Sequence, residues 1–170
     1  MLLDVSRALQ NPGQSYPFEG ELVLPEMTVL DDLIEFESIQ IKGRFTGAGD
    51  SVSVSGHVTA VVHAHCASCL SQVAMALEAD TEEHFARSPD PNDPDRYPLV
   101  GHTIELTGLV KDALLLEMPM RFLCDEQCKG LCPVCGVNRN NQRCTCQEGG
   151  EHRPNPFSAL SGMLSEDEEV

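Results

Sequence analysis

Apolar and polar positions alternate most clearly between Leu33 and Glu83. From Leu33 to Phe45, the residues Ile34, Phe36, Ile39, Ile41 and Phe45 recur with one break near Ser38, which predicts a strand carrying a β-bulge. Gly47, Ala48, Gly49 and Asp50 then turn the chain. Val52, Val54, Gly56, Val58, Ala60 and Val62 alternate with Ser51, Ser53, Ser55, His57, Thr59 and Val61, so a long half-buried strand follows and closes a hairpin. Val73, Met75, Leu77 and Ala79 keep period two. The alanine-rich stretch from Gln72 to Glu83 is compatible with a helix as well, and the alternation favours a strand.

The flanks are less regular. Leu3, Val5, Ala8 and Leu9 suggest a short strand or an irregular start, Asn11 to Gln14 a Pro-Gly turn, and Phe18, Leu22 and Leu24 a strand ending at Pro25. Four prolines between Arg87 and Pro98 predict a surface loop. Its aspartates, Asp90, Asp93 and Asp95, lack the glycine and terminal glutamate of a calcium loop and are expected to be solvated. His102, Ile104 and Leu106 predict a strand. A helix over about 107–118 follows, with Thr107 as N-cap, Leu109, Val110, Ala113, Leu114 and Leu116 giving it one apolar face, and Pro119 as its stop. Phe157, Leu160 and Leu164 suggest a short amphipathic helix before an acidic, disordered terminus.

The expected fold is therefore α+β. A mostly antiparallel β-sheet with one packed helix occupies residues 1–120, a small cysteine-rich zinc-binding module 121–153, and a short helix with an acidic tail 154–170. At 170 residues the chain suits one domain, or one domain with a small appendage.

The formal charge of −16 is unevenly spread. Residues 1–120 hold six basic and nineteen acidic side chains, 121–153 five and four, and the remainder none and four. Only the cysteine-rich segment, with Lys129, Arg139 and Arg143, can face phosphate without strong repulsion, and the basic footprint that drives nonspecific RNA affinity is missing. A basic protein partner fits the charge better; any nucleic-acid contact would be indirect or confined to those three residues.

Six of the eight cysteines lie between Cys124 and Cys146, spaced C-x3-C-x3-C-x2-C-x8-C-x-C. Cys132-Pro133-Val134-Cys135-Gly136 has the chemistry of a zinc knuckle: proline stiffens the turn and glycine can take a positive φ. Cys144 and Cys146 are two apart, so both can face the same ion. That leaves Cys124 and Cys128 to join the upstream pair, Cys66 and Cys69. Eight cysteines then divide into two four-thiolate sites: Cys66, Cys69, Cys124, Cys128, and Cys132, Cys135, Cys144, Cys146. Two zinc ions are expected, and iron suits the same donors. His63 or His65 could replace a cysteine in the first site, since imidazole is an ordinary zinc ligand. A disulfide framework needs an oxidising compartment. No basic, apolar leader opens the chain and no stretch is long enough to span a bilayer, so a cytoplasmic protein without a membrane partner is expected.

The segment Glu117 to Leu160 combines Met118-Pro119, the CKGLCPVCG run, the asparagines Asn138, Asn140 and Asn141, then CTC and PNPFSAL. Together with CASCL at Cys66 to Leu70, it resembles the YceD-like family, also called domain of unknown function 177. The resemblance covers most of the chain and implies a role in accumulation (synthesis, processing or stability) of large-subunit 23S ribosomal RNA. Ser68 stands where that resemblance leads one to expect a basic residue, which argues against an RNA-phosphate contact there. The implied role is ribosome biogenesis by a non-enzymatic, zinc-stabilised factor. A closed four-thiolate sphere keeps no open coordination position, and no nucleophile-base pair or phosphate loop is evident, so neither an enzyme nor a small-molecule substrate is expected. The alternatives are a thiol-disulfide oxidoreductase using Cys66 and Cys69, a zinc hydrolase, and a zinc-ribbon module of a transcription complex.

Overall fold

In a computed structural model, residues 1–29, 32–87 and 97–146 are described, and the chain divides into a compact unit over Met1–Cys128 and a second beginning at Lys129. Among the described residues, all the helices and strands lie in the first. They are, in order, β1 (Leu2–Asp4), α1 (Ser6–Gln10), β2 (Ser15–Leu22), β3 (Met27–Val29), β4 (Asp32–Ala48), β5 (Ser51–His65), β6 (Gln72–Ala86), β7 (Tyr97–Pro98), β8 (Thr103–Glu105) and α2 (Thr107–Glu117). The main sheet has the order β2-β4-β5-β6-β7, with β3 also on β4; β1 and β8 form a separate pair. Every pairing is antiparallel except β6 with β7.

Alternation is what builds this sheet. Val52, Val54, Val58, Ala60, Val62 and Ala64 of β5 are buried, while His57 among them and His65 at the strand's end are exposed and pair with acids across the strands. On β4 the register slips between Glu37 and Gln40, and Ser38 takes a φ of 55°. This bulge lets Phe36 and Ile39 both point inward despite being three apart. The stretch from Gln72 is a strand paired with β5 along its whole length, so alternation prevails over its alanine content.

The helix α2 lies against β6 and β5 and buries Leu109, Val110, Ala113 and Leu114, while Leu116, expected on the same apolar face, is exposed. Thr107 is its first residue and not its cap: Leu106 occupies the N-cap without a side-chain bond. The Thr107 hydroxyl instead accepts from the Met1 ammonium at 2.9 Å. Met118 has an extended ψ of 136°, the conformation that Pro119 imposes on its predecessor.

Two short elements depart from the expected pattern. The irregular start contains a helix, α1, whose Ala8 is buried beneath β4. The proline-rich loop ends in β7, where Tyr97 pairs with Phe85 and stacks on its ring at 5.3 Å between centroids. The aspartates Asp90, Asp93 and Asp95, the helix suggested around Phe157 to Leu164 and the acidic terminus lie outside the described residues.

Candidate metal centres

The first cluster forms where β5 ends. The chain turns through Cys66, Ala67, Ser68 and Cys69, closed by Leu70 N–H to Cys66 O at 2.9 Å and Cys66 N–H to Ser71 O at 2.8 Å. Leu70 occupies a φ of 59°, unusual for a leucine. The segment leaving α2 is tied to this turn by Ala67 N–H to Phe122 O at 2.9 Å, which brings Cys124 and Cys128 alongside. Cys66 Sγ then lies 3.8 Å from Cys128 Sγ, and Cys69 Sγ 3.5 Å from Cys124 Sγ. All four sulfurs are within 4.8 Å of one another. A tetrahedral four-thiolate ion with metal–sulfur bonds of about 2.3 Å has an edge of about 3.8 Å, so the donor set fits such an ion. The same spacing is far beyond a disulfide bond of about 2.05 Å, and all eight cysteines are free.

The second cluster belongs to the unit that begins at Lys129. Leu131 bridges to Asn138, flanked by Arg139 N–H to Gly130 O at 2.9 Å and Lys129 N–H to Asn140 Oδ1 at 2.8 Å. This narrow ladder presents Cys132, whose turn closes with Gly136 N–H to Cys132 O at 2.8 Å and Cys132 N–H to Val137 O at 2.8 Å. Gly136 has a φ of 72°. The two turns are therefore the same device: a cysteine, two residues, a second cysteine, then a left-handed residue. Leu70 fills the place in one turn that Gly136 fills in the other. Cys132, Cys135, Cys144 and Cys146 again gather within 4.8 Å.

Electrostatics within the clusters follow from these turns. The Ser71 hydroxyl, 3.3 Å away, and the Ser71 N–H bring Cys69 down to about 6. The N–H groups of Cys135 and Val134 do the same for Cys132, again to about 6. Burial pushes the Cys66 thiol up, but the N–H groups of Cys124, Ser68 and Cys69 outweigh it and leave it below its ordinary range. Their partners move the other way. Contacts with the sulfurs of Cys69 and Cys128 push Cys124 up to about 12, and the Cys135 sulfur followed by burial pushes Cys146 up to about 12. The Cys132 sulfur also raises Cys144. Each cluster thus supplies sulfurs that ionise readily and sulfurs that hold protons against them, protons that a divalent cation would displace.

Other residues singled out from the sequence lie outside the clusters. His63 Nε2 is bonded to Glu37 at 2.9 Å and the His65 ring to Asp32 at 3.0 Å, both on the outer face of the sheet. Asp32 also accepts the His65 N–H at 2.9 Å, fixing the backbone next to Cys66, and His65 donation holds the Asp32 carboxyl below its usual range. Lys129 and Arg143 are exposed and Arg139 is half-buried, all in the second unit. The roles of Asp32, Ser71 and Phe122 carry no motif; only Ser71, two residues after a cysteine, offered a local signal. Among the described residues no helix is long and apolar enough to cross a membrane.

Comparison with known proteins places the chain in a family. The family model described as large ribosomal RNA subunit accumulation protein YceD matches residues 54–164. The chain is 30% identical over 165 residues to the uncharacterized protein YlbN of Bacillus subtilis, covering 94% of each. It is 30% identical over 145 residues to an uncharacterized protein of Mycobacterium tuberculosis, covering 81% of this chain and 70% of that one. A shorter similarity, 30% over 67 residues, is to the Arabidopsis thaliana protein named large ribosomal RNA subunit accumulation protein YCED homolog 1, chloroplastic; it covers 39% of this chain and 20% of the plant protein. No solved structure gives a significant match.

Proposed function

Because the chain belongs to the family of the large ribosomal RNA subunit accumulation protein YceD, we propose that it supports accumulation of large-subunit ribosomal RNA as a non-enzymatic, zinc-stabilised factor of the cytoplasm. The observation that supports a structural role of metal is the gathering of four cysteines in each cluster. Each offers four sulfurs within 4.8 Å of one another, enough to fill the four positions of a tetrahedral ion. Zinc, which takes four thiolates without redox chemistry, would hold the exit of α2 to the end of β5 and, separately, the knuckle at Cys132. Charge supports a basic protein, such as a ribosomal protein or an assembly factor, as the immediate partner. Lys129, Arg139 and Arg143 are the residues suited to an RNA or ribosomal contact: Lys129 and Arg139 sit on the two sides of the Leu131–Asn138 ladder.

The test is depletion of the protein in its host, with the ratio of large-subunit to small-subunit ribosomal RNA as readout. Wild-type protein restores the ratio; a Cys66→Ser, Cys69→Ser variant restores it poorly. An unchanged ratio on depletion would overturn the proposal. One observation favours a second reading: a thiol brought to about 6, as at Cys69, has the character of a redox-active cysteine. Catalysed reduction of insulin by the metal-free protein, with dithiothreitol supplying the electrons, would select that reading.

A further inference from the structure

The free edge of β6 is the feature that the family role and the metal clusters leave unexplained. This strand runs fifteen residues, Gln72–Ala86. β5 pairs with all of it on one side; on the other, among the described residues, only β7 pairs, and only at Phe85 and Ala86. Among the described residues, the edge from Gln72 to His84 therefore presents an unpaired row of backbone donors and acceptors. Natural sheets guard such edges with proline, β-bulges or charged side chains, lysine above all. The opposite edge, β2, has Pro17 and Gly20. β6 contains no proline, glycine or lysine, and its charges are acidic, which guards it against acidic strands and leaves it open to basic ones.

The side chains along this edge have a definite chemistry. Glu78, Asp80 and Glu82 are spaced by two, so they stand in one row on the outer face, and all are exposed. On the inner face Val73 and Met75 are only half-buried. Apolar surface continues nearby. α2 starts beside Tyr97, whose hydroxyl donates to Asp112 at 2.6 Å, and leaves toward Phe122, bonded to Ala67. It thus runs toward the Gln72 end of β6, where Leu70 is 63% exposed; Leu116 (86%) and Met120 (92%) lie at that end of the helix.

We propose that the Gln72–His84 edge of β6 takes up, by strand addition, an extended segment of a basic protein in which lysine or arginine alternates with apolar residues. In a paired strand, side chains directly opposite stand about 5 Å apart, close enough for basic residues to meet Glu78, Asp80 and Glu82. The intervening residues fall on the inner face with Val73 and Met75. A second copy is the poorer occupant. It would set like-charged edges together on chains of formal charge −16 each.

The inference deepens the basic-partner reading, and its probe contains no ribosomal component. Failure here therefore leaves the ribosomal RNA result standing, and the converse holds. The full-length, metal-loaded protein is titrated with a labelled peptide of about ten residues alternating lysine and valine, and with a peptide of the same composition in two blocks. The alternating peptide is expected to bind about tenfold more tightly and to slow amide hydrogen exchange within Gln72–His84. In an E78K, D80K, E82K variant, checked for unchanged metal content, that preference is lost and a glutamate-valine peptide binds instead. Equal binding of both lysine peptides, binding without protection of β6, or an unaffected variant would each overturn the proposal.

Discussion

The equivalence of the two cysteine turns can be tested at the residue that differs between them. Gly136 and Leu70 both hold a left-handed φ, of 72° and 59°. A Cβ added at Gly136 meets nothing within 4 Å, so Gly136→Ala changes backbone energetics alone. An L-residue held in that region costs about 1–2 kcal/mol. The smaller unfolded-state entropy of alanine offsets about 0.4–1 kcal/mol of this. The net is about 0.5–1.5 kcal/mol, a roughly two- to tenfold loss of metal affinity at the second cluster.

Leu70→Gly is the mirror image. It relieves about 1–2 kcal/mol of backbone strain, at an entropic cost of about 0.5–1 kcal/mol. The leucine side chain is 63% exposed, so roughly a third of its burial energy, about 0.5–1 kcal/mol, is also lost. The two sides cancel, and affinity at the first cluster should change by less than about threefold. Cadmium NMR during chelator competition reads the clusters separately, since each four-thiolate ion gives its own resonance. An unaltered second cluster in Gly136→Ala would refute the turn energetics. A strongly weakened first cluster in Leu70→Gly would show that the leucine side chain, and not the turn, holds that site.

Two further outcomes follow from the same geometry. A Cβ at Gly47 would run into the Ala8 carbonyl, so Gly47→Ala must push α1 off β4 and destabilise the first unit by about 1–3 kcal/mol, measurable by urea denaturation of the metal-loaded protein. Metal affinity should also fall with pH, because protons compete with the ion for sulfur. Cys69 and Cys132 stay ionised down to about 6, so chelator competition between pH 7.5 and 5.5 should show the decline steepening as these two protonate; a pH-independent affinity would contradict the assigned ligands.

Much of the sheet was legible because its strands are buried on one face. The alternation of β5 places every second residue in the core, and the single phase break near Ser38 is the bulge itself. Short elements escaped for a physical reason: α1 has five residues and β7 two, and tertiary contacts with β4 and with Phe85 hold them. Thr107 looked like a cap because its hydroxyl is suited to one, yet that hydroxyl is taken by an ammonium far away in sequence. At the clusters, Cys132 to Cys146 lie close along the chain, and Gly136 marks the turn. The meeting of Cys66 and Cys69 with Cys124 and Cys128 depends on the course of α2 and on the Ala67–Phe122 bond, which no local pattern records. Nor does leucine at position 70 signal the left-handed backbone it adopts.

The central claim is that two separate four-cysteine clusters hold one zinc ion each. Elemental analysis of protein purified without chelator tests it directly, alongside the Cys66→Ser, Cys69→Ser variant. The account predicts two zinc ions per chain in the wild type and one in the variant, one for each intact cluster. Equal metal content in the two proteins, or wild-type protein free of zinc, would contradict it.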